Sequence, residues 1–135
     1  MEFGINHLAV VVSAIVMFGI GAVWYSPLLF GRKWQSLLGV STDQLRKGNI
    51  GTTYGLTFIA FVVGAYVLAH FILMANATTA VGGLKTAFWS WLGFIATTTL
   101  INYAYQRKPY TLWAVDAGYQ LVAFCAAGVI LALWR

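Results

Sequence analysis

Two groups of side chains have the types and spacing to do chemistry, and both lie inside apolar runs, where polar groups are costly. The larger gathers around Asp116. Asp116, Tyr119 and Gln120 recur at i, i+3 and i+4, one face of a helix that Ala123 and Ala127 continue. Asn102 lies three residues before the inner end of the preceding run and Asp116 four after the start of its own, so at ~1.5 Å rise per residue their depths agree to within ~2 Å. Trp24, Tyr25 and Ser26 close the first run at this level, and Thr52, Thr53 and Tyr54 open the second. One acid among phenols, amides and hydroxyls can make a polar pocket or ion vestibule. The same residues can instead be interhelical hydrogen bonds, with Asp116 satisfied by Asn102, Tyr103 or the Arg107/Lys108 turn.

The second group is His7 and His70, at one level if the first two runs are antiparallel helices. Paired imidazoles can ligate haem or a metal. Two ligands with neither acid nor cysteine beside them make a weak metal site, and hydrogen-bonded interfacial histidines are the simpler reading. The other acids, Glu2 and Asp43, stand far from Asp116, and no Ser/His/acid set or Gly-rich phosphate loop occurs. The expectation is therefore no enzyme and no cofactor. Cys125, in an apolar stretch, reads as an inert buried thiol.

The elements that hold these residues follow from composition. The chain has 135 residues, 61% hydrophobic and 8% charged, against about 45–50% and about 25% in soluble domains. Mean hydropathy is +0.80. So few charges cannot coat a soluble fold, which excludes a water-soluble domain, a disordered chain and a nucleic-acid binder. A spanning helix needs ~20 apolar residues. Four stretches qualify: residues 5–25, 51–74, 84–105 and 112–134. The first lacks a basic start, which argues against a cleaved signal peptide.

The net charge of +5 sits in the connections. Residues 26–50 carry Arg32, Lys33, Arg46 and Lys47, and the third connection carries Arg107 and Lys108. Only Lys85 and Arg135 fall on the other side. The positive-inside rule then puts the first and third connections in the cytoplasm and both termini outside. Trp24, Tyr25, Tyr103, Tyr110 and Trp113 at the inner ends, with Trp89, Trp91 and Trp134 nearer the outer ends, read as interfacial anchors.

The first connection is too long for a turn. Phe30, Trp34, Leu37 and Leu38 form an apolar stripe, with Arg32 and Lys33 off it, as in a helix lying in the interface and closed by Gly39. Ser41 and Gln44 then form a capping box, with Asp43 at the start of a short helix and Arg46 and Lys47 at its end. Arg32, Lys33, Trp34, Arg46 and Lys47 are expected to anchor to anionic lipid. Small residues spaced by four (Ala9 and Ser13, Gly51 and Gly55, Ala60 and Gly64, Ala123 and Ala127), together with Gly21, predict close helix packing, some of it between copies.

The run Gly21-Ala22-Val23-Trp24-Tyr25-Ser26-Pro27-Leu28-Leu29-Phe30-Gly31 resembles the signature of a bacterial family of small four-helix membrane proteins catalogued as a domain of unknown function. Asn102, Arg107, Pro109, the triplet Ala117-Gly118-Tyr119, and Gly128 and Trp134 near the end are similar to that family too. The resemblance implies a four-helix bacterial membrane protein and brings no activity, substrate or cofactor.

The expectation is one all-α domain over 1–135: an integral membrane four-helix bundle with a short interfacial helical segment between helices 1 and 2. The leading function is a non-enzymatic, self-associating inner-membrane protein with a structural or accessory role. Its partners would be lipids and a homo-oligomer or larger membrane complex, without nucleic acid. The alternative is a small transporter or channel using Asp116 and Asn102. A weaker one is a haem or metal subunit using His7 and His70. A wet pocket reaching Asp116, Asn102 and Thr97 would favour transport, and a dry interface would favour the scaffold.

Overall fold

A computed structural model describes residues 4–39 and 50–134. The expected capping box at 41–44, with Asp43, Arg46 and Lys47, lies outside the described residues, as do Glu2 and Arg135. The described residues form helices and no strand.

Helix α1 runs His7–Trp24, started by Asn6, whose side chain accepts from the Ala9 amide at 3.1 Å. Its end fits Pro27, which cannot continue a helix. Helix α2 is Gly31–Leu38, closed by Gly39 in the left-handed region at φ +75°. Helix α3 spans Ile50–Met74. Helix α4, Ala80–Ser90, begins four residues before the expected third span, because the Thr79 hydroxyl caps it from the Gly82 amide at 3.0 Å. Lys85 consequently lies inside the helix. A π-helical turn, Trp91–Ala96, leads into α5, Thr97–Tyr105. Helix α6 is Tyr110–Leu133.

Among the described residues, three helices, α1, α3 and α6, are long and apolar enough to cross a membrane. The expected third span is helical throughout 80–105, but the π turn divides it into α-helices of 11 and 9 residues. The three successive threonines that follow donate to carbonyls four residues back: Thr97 to Gly93, Thr98 to Phe94 and Thr99 to Ile95.

Two turns reverse the chain tightly. After α3, the Ala77 amide donates to Ile72 O and the Asn76 amide to Leu73 O; after α5, Lys108 donates to Tyr103 O and Arg107 to Ala104 O. Both are Schellman closures, with Asn76 at φ 53° and Arg107 at φ 59° where glycine is usual. A left-handed non-glycine residue costs roughly 1–2 kcal/mol. Arg107→Gly is therefore expected to raise stability by about 1 kcal/mol, read as a higher midpoint of thermal unfolding in detergent. An unchanged or lower midpoint would show that the Arg107 side chain offsets the strain.

Helix α6 is the centre, in contact with every other helix. Met17, Leu68, Ile72, Ala123 and Ala127 are buried where α1, α3 and α6 meet. The outer faces stay apolar: Ile59 is 60% exposed, Phe94 65% and Leu133 61%. This pattern suits lipid, where close approach rather than hydrophobic burial drives helices together. Much of the small-residue pattern serves that approach within one chain. Ala9, Ser13, Ala123 and Ala127 are fully buried, Gly64 faces Phe124, and Gly21 faces Tyr119. Gly83 and Gly128 bring α4 and α6 into backbone contact. Gly51, Gly55 and Ala60 are each exposed on α3.

Candidate functional site

The segment from Gly21 to Gly31 folds against α6 around Asp116. The Trp24 indole N–H donates to Val115 O at 3.0 Å, and the Trp91 indole N–H donates to Ala117 O at 2.9 Å. These two bonds hold the backbone of α6 on either side of Asp116. Gly118 leaves room for the Trp24 ring, which also packs at a tilt against Phe30, with centroids 4.7 Å apart. The turn after α1 is so tight that a Cβ on Gly31 would overlap the Tyr25 carbonyl oxygen. This turn aims Tyr25 inward.

Two phenols converge on the acid. The Tyr25 hydroxyl donates to Asp116 Oδ1 at 2.6 Å, and the Tyr103 hydroxyl donates to Oδ2 at 2.5 Å. One bond reaches α1 and the other α5, so Asp116 ties three helices together. Tyr119, one turn on, donates to Met17 O at 2.8 Å, and Gly21 makes the space for its ring. Trp113 donates to Thr99 Oγ1 at 3.0 Å and so fixes the start of α5 beside the π turn.

Asp116 borders a cavity of about 600 Å³ between α1, α3, α5 and α6. Helix α2 covers one side: Trp34 lines the cavity and meets Tyr25 edge-to-face at 5.4 Å. Thr57 and Thr99 line the wall. A second cavity of about 480 Å³ lies between α1 and α3 and shares Tyr25, Thr53, Tyr54, Thr57 and Tyr119 with the first.

The expected site residues separate into two sets. Tyr25, Asp116, Tyr119 and Gln120 line the cavity, and Trp24 stands behind it as a clamp. Ser26 turns back to Val23 O at 2.6 Å. Asn102 and Thr97 are exposed and outside the lining. Among the described residues, the hydrogen bonds to Asp116 come from Tyr25 and Tyr103, not from Asn102 or the Arg107/Lys108 turn. Lys108 instead places Nζ over the Tyr103 ring, 5.1 Å from its centroid. Arg32 and Lys33 lie exposed on α2, as the stripe predicts, while Trp34 turns inward to the cavity. Sequence reasoning missed Trp34, Thr57 and Thr99 as lining residues and Trp91 as a clamp. For Trp34 the signal was present, since it leads the apolar stripe of α2.

A family described as "Protein of unknown function (DUF1761)" matches residues 8–132. The chain belongs to this family. No curated protein and no solved structure matches it. In this DUF1761 chain, the run that carried the resemblance is the one that builds the wall beside Asp116.

At the other end of this DUF1761 chain the two histidines do not form a simple pair. His7 stacks on Tyr66 with centroids 6.1 Å apart, and Tyr66 meets His70 edge-to-face at 4.7 Å. His70 Nδ1 lies 2.9 Å from Tyr66 O. Among the described residues, no group of three or more His, Cys, Asp or Glu could hold a metal ion. Asp116 is the only acid among the described residues, so the cavity presents one carboxylate among aromatic and hydroxyl groups.

Proposed function

We propose that this chain is a small multi-pass protein of the bacterial inner membrane that admits a solute to a vestibule at Asp116, as a small transporter does. The observation that carries this reading is the cavity of about 600 Å³ against the Asp116 carboxylate. A wet pocket reaching Asp116, Asn102 and Thr97 is the mark of transport expected from the sequence; the cavity reaches Asp116 and Thr99 and leaves Asn102 and Thr97 outside, so the reading rests on the acid alone. Four crossings are proposed, the helical run over 80–105 supplying the third beside α6. The distribution of basic residues supports a cytoplasmic α2 end with both termini outside. We read the site as one for binding: the polar side chains around Asp116 are phenols, hydroxyls and an amide. Self-association keeps one support, the exposed Gly51, Gly55 and Ala60 on α3, and is compatible with transport.

Water access tests this reading. With Cys125 replaced by alanine, Thr57→Cys places one thiol on the cavity wall. A membrane-impermeant maleimide is expected to label it at least about 10-fold faster in inverted vesicles than in right-side-out vesicles, because a thiolate must meet reagent in water. No labelling from either side would mean a dry interface and would return the scaffold to first place. Labelling from the outer face alone would reverse the proposed orientation.

A further inference from the structure

The polar groups around Asp116 are mostly engaged already. The Tyr25 and Tyr103 hydroxyls both donate to the carboxylate, and the Tyr119 hydroxyl donates to Met17 O. Thr57 donates to Thr53 O and Thr99 to Ile95 O. What remains for an occupant is one negative charge, the Gln120 carboxamide and a set of ring surfaces. Tyr25 lies at the centre of that set, edge-to-face with Trp34 and with Tyr119, each at 5.4 Å. Tyr54 and Tyr103 complete the aromatic wall.

This lining discriminates among cations. A hard metal ion such as calcium needs about six to eight oxygen ligands, and one carboxylate that already accepts two phenols, with the single Gln120 carboxamide beside it, falls well short of them. An organic ammonium needs no such shell. It is held by opposite charge and by the negative faces of aromatic rings. The chain shows that attraction in its own Lys108, whose ammonium lies over the Tyr103 ring. The cavity volume of about 600 Å³ falls within the ordinary range of small-molecule sites, ~300–1,000 Å³.

We propose that the Asp116 vestibule binds an organic ammonium ion, its charge held by the carboxylate and its alkyl groups packed against Trp34, Tyr25 and Tyr54. The proposal rests on the vestibule reading above and names its ligand class. The ammonium is either a free solute or the headgroup of a lipid entering between α1 and α3, where the second cavity adjoins the first.

Calorimetric titration of the full chain in phosphatidylglycerol nanodiscs, which carry no ammonium lipid, tests it. Tetraethylammonium chloride is expected to bind saturably with one site per chain, and sodium chloride at equal ionic strength is expected to give no saturable heat. Trp34→Ala should weaken tetraethylammonium binding about 10-fold, while Trp34→Phe, which keeps an aromatic face, should weaken it less than about 3-fold. Asp116→Asn should remove binding while the protein still elutes as a folded species. Adding phosphatidylcholine to the nanodiscs distinguishes the sources: competition identifies a lipid headgroup, and unchanged affinity identifies a free solute. Sodium binding as well as tetraethylammonium, or indifference to both Trp34 substitutions, would overturn the ligand class. If Thr57→Cys labels from the cytoplasmic side and tetraethylammonium does not bind, the vestibule stands and the ammonium assignment alone fails.

Discussion

Gly83→Val is expected to prevent assembly of the native helix packing. Helices α4 and α6 cross where Gly83 meets Gly128. A Cβ on Gly83 would overlap the Gly128 carbonyl oxygen and lie 2.7 Å from the Ala132 methyl. From the other side, a Cβ on Gly128 would lie 2.5 Å from the Gly83 carbonyl oxygen and 2.8 Å from the Ala87 methyl. These neighbours are backbone and alanine, with no flexible side chain that could swing aside. Overpacking a core usually costs ~1–3 kcal/mol, and a rigid backbone neighbour puts this site at or above the top of that range. Gly93 provides the control, because nothing lies within 4 Å of a Cβ built there. Gly93→Ala is expected to leave thermal unfolding in detergent within ~0.5 kcal/mol of the parent. If Gly83→Val melts with the parent, the close crossing of α4 and α6 is wrong.

Asp116→Leu is expected to cost about 2–4 kcal/mol. Its carboxylate is the acceptor for the Tyr25 and Tyr103 hydroxyls. Leucine leaves both half-buried donors without it, at ~1–3 kcal/mol for each unsatisfied group. Asp116→Asn should cost less than about 1 kcal/mol, since its carbonyl accepts one phenol and the other hydroxyl can rotate to accept from the amide N–H. Removing both donors along with the acceptor should be milder than removing the acceptor alone. The triple substitution Tyr25→Phe, Tyr103→Phe, Asp116→Leu should therefore unfold at a higher temperature than Asp116→Leu. Equal stability of Asp116→Leu and the parent would mean that water satisfies the phenols, and that the carboxylate does not tie the three helices together. Because the asparagine variant keeps its packing, its loss of ammonium binding would report on charge rather than on folding.

Sequence determined the elements of this protein wherever local chemistry sets them. The lengths of the apolar runs locate the helices within a few residues, and Pro27 and Gly39 mark breaks that the structure keeps. The spacing of Asp116, Tyr119 and Gln120 put them on one helix face, because 3.6 residues per turn is a property of the helix itself.

Tertiary structure decided which neighbours face that acid. Asn102 and Tyr103 are adjacent, and one residue along a helix is a rotation of about 100°. The π turn at Trp91–Ala96 alters the winding just before α5. In the resulting phase Thr99 and Tyr103 face the cavity, while Thr97 and Asn102 face outward. The tryptophans make the same point. Composition marks Trp24, Trp91 and Trp113 as interfacial anchors, yet each donates its N–H within the chain, because a nearby helix brings an acceptor within 3.2 Å. Of the partners of Asp116, Tyr25 comes from the far end of the chain and Tyr103 from the helix just before, and no local pattern encodes their rotation. It belongs to packing in three dimensions, where Gly83 closely approaches Gly128 and Gly21 approaches Tyr119.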